Sequence, residues 1–342
     1  MSETLNDIAQ AMVTPGKGIL AADESTATIK KRFDSINTQS TEDNRRDYRE
    51  MLFRTDATMR SYISGVILYD ETLRQKAADG TPLVDLLKAV GSVPGIKVDT
   101  GAKDLAGFPG EKVTEGLDGL RDRLKEYYDL GARFAKWRGV ITIGEGMPSA
   151  ACINANAHGL ARYAALCQEQ KIVPIVEPEV LMDNPGATHS IDRCDEVTRE
   201  VLNTVFAQLA EHNVALDGIV LKPNMVIAAK GASQQASAEE VAEKTVACLT
   251  DCVPAEVPGI AFLSGGQDDL EATHHLSLMN AAGPHPWNLT FSYGRALQAP
   301  ALKAWGGQKA NVPAAQAAFA HRAHMNGLAA LGQWSQSQEK AA

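Results

Sequence analysis

The chain predicts an α/β fold, a single-domain (β/α)8 or TIM barrel, on three observations. Eight short apolar runs bordered by glycine are spread along its 342 residues. They recur at a mean interval of about 39 residues, which leaves room for one helix and two loops in every repeat. Each is almost continuously apolar, as a parallel strand covered on both faces must be. Length alone would favour two domains; the repeat overrides that prior.

The elements follow in order. A helix precedes the barrel, where Leu5, Ile8, Ala9 and Met12 share one face. Strands are expected at residues 17–23, 65–70, 95–99, 134–138, 173–178, 218–223, 259–264 and 289–294. The charge-dense run Glu42 to Glu50 reads as a solvated helix face. Leu117, Leu120 and Leu124 stripe the helix before the fourth strand, and Val201, Val205 and Leu209 the one before the sixth. Ser237 and Glu240 have capping-box spacing at the start of the helix before the seventh. Residues 313–334 form a terminal helix that closes a barrel domain of residues 1–334, and 335–342, without periodicity, read as a mobile tail.

Composition narrows the function. Hydrophobic residues at 44% and charged residues at 22% are ordinary for a soluble globular protein. No apolar run approaches the ~20 residues that span a bilayer, and the acidic start lacks the basic-then-apolar layout of a secretory signal. A cytoplasmic protein without a membrane partner is expected. A net charge of −9 argues against nucleic acid. Five cysteines without CxxC spacing argue against a disulfide framework or zinc ribbon. The eight histidines make no HExxH pattern and none lies in a strand run, and no G-x-G-x-x-G follows the first strand. Neither a metal nor a nicotinamide cofactor is expected.

In such a barrel the site lies at the C-terminal ends of the strands. Those ends carry Asp23, Glu71, Lys97, Lys136 with Arg138, Glu177 with Glu179, Lys222, Ser264 and Arg295. Basic groups gathered at one place on an acidic protein point to a small anionic ligand. A lysine such as Lys222, closing an apolar strand before a proline, is costly to bury charged and becomes an amine nucleophile once it loses its proton. Lys222 is assigned that role, with Lys136 as the neighbouring cation that disfavours its charged form. Glu177 is placed to move the proton as a carbinolamine loses water, and Asp23 to take a hydroxyl proton as a carbon–carbon bond breaks. The bland alternative has these carboxylates simply pairing with the lysines.

Ser264-Gly265-Gly266 after the seventh strand and Ser292-Tyr-Gly294-Arg295 after the eighth occupy the place where barrels build a phosphate cradle. Ser25 and Thr28, with Arg32 and Lys97, are the candidates for a second phosphate. A ligand phosphorylated at both ends is expected.

Seven segments, in order, carry a resemblance: Pro15 to Thr26, Gly95 to Asp99, Phe134 to Arg138, Ile175 to Glu179, Leu221 to Met225, Phe262 to Gln267 and Thr290 to Gln298. They resemble the active-site segments of the class I, Schiff-base-forming fructose-bisphosphate aldolases, over roughly residues 8–334. The resemblance implies reversible cleavage of fructose 1,6-bisphosphate to dihydroxyacetone phosphate and glyceraldehyde 3-phosphate, in glycolysis and gluconeogenesis. It implies that Lys222 forms the Schiff base, Glu177 shuttles protons, Asp23 is the cleavage base and Lys136 an essential neighbour, with Glu179 grouped among the catalytic carboxylates. Ser264, Gly265, Gly266, Ser292, Gly294 and Arg295 would hold the 1-phosphate, and Ser25, Thr28, Arg32, Lys97 and Arg138 would serve the rest of the substrate. A cytosolic homotetramer needing no metal is also implied.

Two departures stand out. Asp217-Gly218 replaces the family's Glu-Gly, remote from the reaction. The family's animal members end in a tyrosine that exchanges a proton with the enamine, whereas the last tyrosine here is Tyr293, so water or His321 or His324 is expected to serve. Fructose 1-phosphate or sedoheptulose 1,7-bisphosphate remains an alternative substrate, and a binding scaffold a different class of function.

Overall fold

The structure is a computed structural model and describes residues 3–340. Ten strands occur in it: β1 (Gly18–Ala22), β2 (Ile63–Leu68), β3 (Val93–Lys97), β4 (Gly101–Asp104), β5 (Lys112–Glu115), β6 (Phe134–Ile141), β7 (Val173–Val180), β8 (Val220–Leu221), β9 (Gly259–Phe262) and β10 (Asn288–Tyr293). Eight close a parallel barrel in the order β1-β10-β9-β8-β7-β6-β3-β2. Helices lie between them, and the chain matches the expected (β/α)8 architecture.

Strand periodicity explains how an apolar barrel ends in a charged mouth. Alternate residues share a face, so Phe134, Lys136 and Arg138 are stacked along one line, as are Ile175, Glu177 and Glu179, Ile19, Ala21 and Asp23, and Val220 and Lys222. The lower members join Ile67, Val173 and Ala261 in one buried cluster, which Ile8, Ala9, Met12 and Val13 of the N-terminal helix segment also enter. Helix Leu5–Met12, capped by a reciprocal Thr4–Asp7 box, therefore seals the floor. A second, larger cluster fills the space between barrel and outer helices. Gly95 is required here: a Cβ would fall 2.2 Å from the Phe134 ring that fills the barrel.

Several expectations need correction. The hairpin β4–β5 is antiparallel and was not anticipated; it stands beside the barrel mouth, where Thr114 Oγ1 donates to the Arg138 carbonyl at 2.7 Å. Leu117 precedes its helix, which runs Leu120–Asp129 from an N-cap at Gly119. Ser237 caps helix Ala238–Cys252 through the Glu240 amide, with no reciprocal bond. The run Glu42 to Glu50 is only half solvated. Arg45, Tyr48 and Arg49, three and four residues apart, turn inward on helix Glu42–Phe53. The tail is also docked. Residues Gln336–Lys340 form a 3-10 helix in which Glu339 accepts from Arg322 at 2.7 Å, Trp334 Nε1 at 2.9 Å and lies 2.8 Å from His321 Nε2. Arg322 is buried, so its charge needs that carboxylate. The expected tail's last two residues, 341 and 342, lie outside the described residues.

Candidate active site

A cavity of about 500 Å³ opens at the C-terminal end of the barrel. It is lined by Asp23, Lys97, Lys136, Arg138, Glu177, Glu179 and Lys222 from the strand ends, together with Ser25, Thr28, Arg32, Ser264, Gly265, Ser292, Gly294 and Arg295 from the loops and helix starts. Register stacks the charges in two successive levels: Lys97 pairs in the ladder with Lys136, and two residues further on Arg138 pairs with Glu177. β8 is short because Lys222 donates its backbone N–H to the Val176 carbonyl at 2.8 Å and Pro223, with no N–H, ends the ladder.

Three buried groups, Lys136, Glu177 and Lys222, and the partly buried Asp23 form the centre. Lys222 Nζ lies 3.2 Å from Glu177 Oε1. Lys136 Nζ lies 2.8 Å from Asp23 Oδ2 and 3.6 Å from Glu177 Oε2, so Glu177 sits between the two lysines. Only 4% of Lys222 and 3% of Glu177 are exposed, which keeps water from screening these contacts. Burial pushes the Asp23 carboxyl up, but the ammonium groups of Lys136 and then Lys222 outweigh it and hold the group at about 2. Burial likewise opposes the Lys136 charge, and Asp23 and Glu177 overcome it, raising the ammonium above its usual range. Asp23 is therefore an ionised base and Lys136 a fixed cation at neutral pH. Beside them the partly exposed Arg138 pairs with Glu179, whose carboxylate raises the guanidinium above its usual range.

Around this centre stand further groups that can donate to an anion. On one side are Ser264, Gly265, Ser292 and the start of helix Arg295–Trp305, with Gly294 at its N-cap. The helix N-terminus offers free amide groups and a favourable dipole to a phosphate. Ser292 Oγ is buried and makes no hydrogen bond, a donor available to a ligand oxygen. Arg295 Nη2 donates to Asp183 Oδ2 at 3.0 Å. On the other side, Ser25 Oγ caps helix Thr26–Asp34 and lies 3.0 Å from Thr28 Oγ1, while Lys97 pairs with Asp99 at 2.6 Å and Arg32 with Glu24.

Not every candidate belongs. Gly266 does not line the cavity; its φ of +77° makes the turn, and a Cβ would meet Met182. Glu71 turns away to Arg45 and Arg49. His324 stacks on Tyr62, just before the N-terminal end of β2, and His321 binds the tail, so neither faces the reacting groups. Asp217, as expected, is remote: its carbonyl accepts from Asn6 at the barrel floor. Glu24, Tyr69 and Asp99 line the cavity without having been singled out. Glu24 and Asp99 follow or end strand runs and were legible there; no signal marked Tyr69.

A (β/α)8 barrel whose mouth joins two buried lysines to a shared carboxylate, among side chains and amides that can donate to an anion, defines a class: barrels with a charged pocket suited to a small anionic ligand. The comparisons specify it. The family model for fructose-bisphosphate aldolase class-I matches residues 4–342. A probable fructose-bisphosphate aldolase class 1 of Xanthomonas campestris is 59% identical over 97% of this chain and 98% of its own. The cytosolic fructose-bisphosphate aldolase 4 of Arabidopsis thaliana is 54% identical over 93% of this chain and 80% of its own. Among solved structures, the fructose-bisphosphate aldolase of Plasmodium falciparum, in complex with TRAP and a small-molecule inhibitor, superposes with a TM-score of 0.94 at 50% identity, covering 97% of this chain and 95% of that one. The chain belongs to the class I fructose-bisphosphate aldolase family, and it is a carbon–carbon lyase.

Proposed function

We propose that Lys222 is the nucleophile of a reversible aldol cleavage of fructose 1,6-bisphosphate and that Glu177, Asp23 and Lys136 serve it directly. One observation carries this: Glu177 lies within 3.6 Å of both buried lysines, while Lys136 lies 2.8 Å from an ionised Asp23. The open-chain ketose enters with its 1-phosphate on Ser264, Gly265, Ser292, Gly294 and Arg295, and its 6-phosphate toward Ser25, Thr28, Arg32 and Lys97. The free amine of Lys222 adds to the C2 carbonyl. The Glu177 carboxylate takes the proton that Lys222 gives up on becoming the free amine, across the 3.2 Å between them, and returns it to the carbinolamine hydroxyl, which leaves as water and gives an iminium ion. Asp23 takes the C4 hydroxyl proton, the C3–C4 electrons move into the iminium, and glyceraldehyde 3-phosphate departs. Protonation of the enamine at C3 and addition of water release dihydroxyacetone phosphate and regenerate Lys222. Lys136 stabilises the two carboxylates in their charged forms and, with Arg138 and Glu179, fixes the sugar hydroxyls.

A polar cavity with anion-binding groups on both flanks favours a bisphosphate over fructose 1-phosphate. The same reading makes the enzyme a cytosolic homo-oligomer, a tetramer by family likeness, that works without cofactor or metal and binds neither nucleic acid nor membrane. Among the described residues no helix is long and apolar enough to cross a membrane. The test compares kcat/KM for fructose 1,6-bisphosphate, fructose 1-phosphate and sedoheptulose 1,7-bisphosphate, with and without chelator. Preference for a bisphosphate, unchanged by chelator and abolished in Lys222→Ala, is expected. Chelator-sensitive activity that survives Lys222→Ala overturns the reading.

A further inference from the structure

Tyr69 lines the cavity, the one tyrosine to do so among the described residues, and no step of the cleavage above employs it. Its place follows from the strand. Ile67 belongs to the buried cluster inside the barrel, and the backbone stays extended through Tyr69, at φ −86° and ψ 155°. The period-two alternation therefore carries the Tyr69 side chain inward, one level above Ile67, at the mouth. The ladders fix its neighbours. Ala21 pairs with Ile67 and Ala22 with Leu68, so the next step of that register sets Asp23 beside Tyr69. On the other side Leu68 pairs with Ile96, which sets Tyr69 beside Lys97. Strand β2 lies four strands from β8 in either direction round the barrel. Tyr69 thus faces Lys222 from the opposite wall, next to Asp23.

Its hydroxyl is unspent. The buried Tyr48, Tyr163 and Tyr293 give theirs to Gln298 at 3.1 Å, the Ile175 carbonyl at 3.1 Å and the Ala272 carbonyl at 2.9 Å, as buried tyrosines usually must. Tyr69 is partly exposed at the cavity, and its hydroxyl has no hydrogen-bond partner among the described residues. In the cleavage, the C4 oxygen gives its proton to Asp23 and carries developing negative charge until it becomes the aldehyde carbonyl. A donor aimed at that oxygen lowers the barrier. The ionised Asp23 is an acceptor only, so the donor must come from another side chain. A phenol on the neighbouring strand can supply it.

We propose that Tyr69 is a catalytic residue for the aldehyde half of the reaction: its O–H donates to the C4 oxygen as the C3–C4 bond breaks and, in condensation, to the aldehyde carbonyl as the enamine attacks. Tyr69 keeps its own proton throughout, and Asp23 holds the one that moves. This rests on the reading above that Lys222 forms the Schiff base and Asp23 is the cleavage base. Tyr69→Phe deletes the hydroxyl and keeps the ring. It is compared with the unsubstituted enzyme in kcat/KM for fructose 1,6-bisphosphate cleavage and in solvent-deuterium exchange of the C3 proton of dihydroxyacetone phosphate, which needs the enamine but no aldehyde. Expected is a fall of about thirtyfold in kcat/KM, the worth of one hydrogen bond to a charged oxygen, with exchange changed less than about twofold. Cleavage within about threefold of the unsubstituted enzyme, or exchange that falls in step with cleavage, overturns the proposal. Failure of borohydride to trap dihydroxyacetone phosphate on Lys222 of the unsubstituted enzyme would instead overturn the Schiff-base reading, and this proposal with it.

Discussion

Replacing Lys136 by methionine removes the cation on which both carboxylates depend. With an effective dielectric near 20, its attraction to Asp23 at 2.8 Å is worth about 6 kcal/mol and to Glu177 at 3.6 Å about 5 kcal/mol. Much of this is offset by the desolvation of a buried ammonium, so breaking such a group costs about 3–5 kcal/mol of stability. Asp23 would then keep only Lys222 and the more distant Lys97 against the burial that pushes its carboxyl up. Its titration should rise from about 2 to above the ordinary carboxylate range. If about 4 kcal/mol of the lost interaction belongs to the transition state, kcat/KM falls about a thousandfold. The assay is the pH profile of kcat/KM for fructose 1,6-bisphosphate cleavage, which reports the free enzyme's essential groups. An acid limb displaced upward, above about pH 4, is expected along with the rate loss. A Lys136→Met enzyme within tenfold of the unsubstituted rate, with its acid limb unmoved, would refute the reasoning.

Three further outcomes follow from single contacts. Because the folded Asp23 titrates near 2, below its unfolded value, its pairing stabilises the fold above about pH 4 and is lost as pH falls toward 2. Urea denaturation should show Asp23→Asn losing about 2 kcal/mol less than the unsubstituted protein across that window. Ser292→Ala removes a buried hydroxyl that has no partner, so the unliganded protein should keep its stability while KM for phosphorylated substrates rises about tenfold; an unchanged KM counts against the 1-phosphate site. Deleting residues 335–342 strips Glu339 from Arg322, and a cost of about 2 kcal/mol in chemical denaturation is expected with cleavage largely retained. A loss of activity as large as that from Lys222→Ala would contradict it.

The strand-end chemistry was legible because a barrel turns a local pattern into a place. An apolar run that ends in Lys or Glu has one side of its period-two alternation on the barrel interior, and its last member must emerge at the mouth. Phe134, Lys136 and Arg138 illustrate this, and so do Ile175, Glu177 and Glu179. Glu71 failed the same logic because two arginines on a neighbouring helix claim it, a tertiary pairing that no local pattern announces. Those arginines were hidden in a charge-dense run that resembles a solvated face. Tyr48 and Leu52, at helical spacing with Arg45 and Arg49, were the signal that one side is buried. The docked tail was illegible for a related reason. Its order comes from one carboxylate, Glu339, meeting a buried Arg322, and a single long-range ion pair leaves no periodicity.

Reductive trapping addresses the nucleophile most directly. The protein is incubated with dihydroxyacetone phosphate, reduced with borohydride, digested and mapped by mass spectrometry. One adduct on Lys222, lost in Lys222→Ala, is the predicted result. An adduct on Lys136 or Lys97 instead, or none at all in an enzyme that still cleaves fructose 1,6-bisphosphate, would contradict the assignment of Lys222 as the Schiff-base residue.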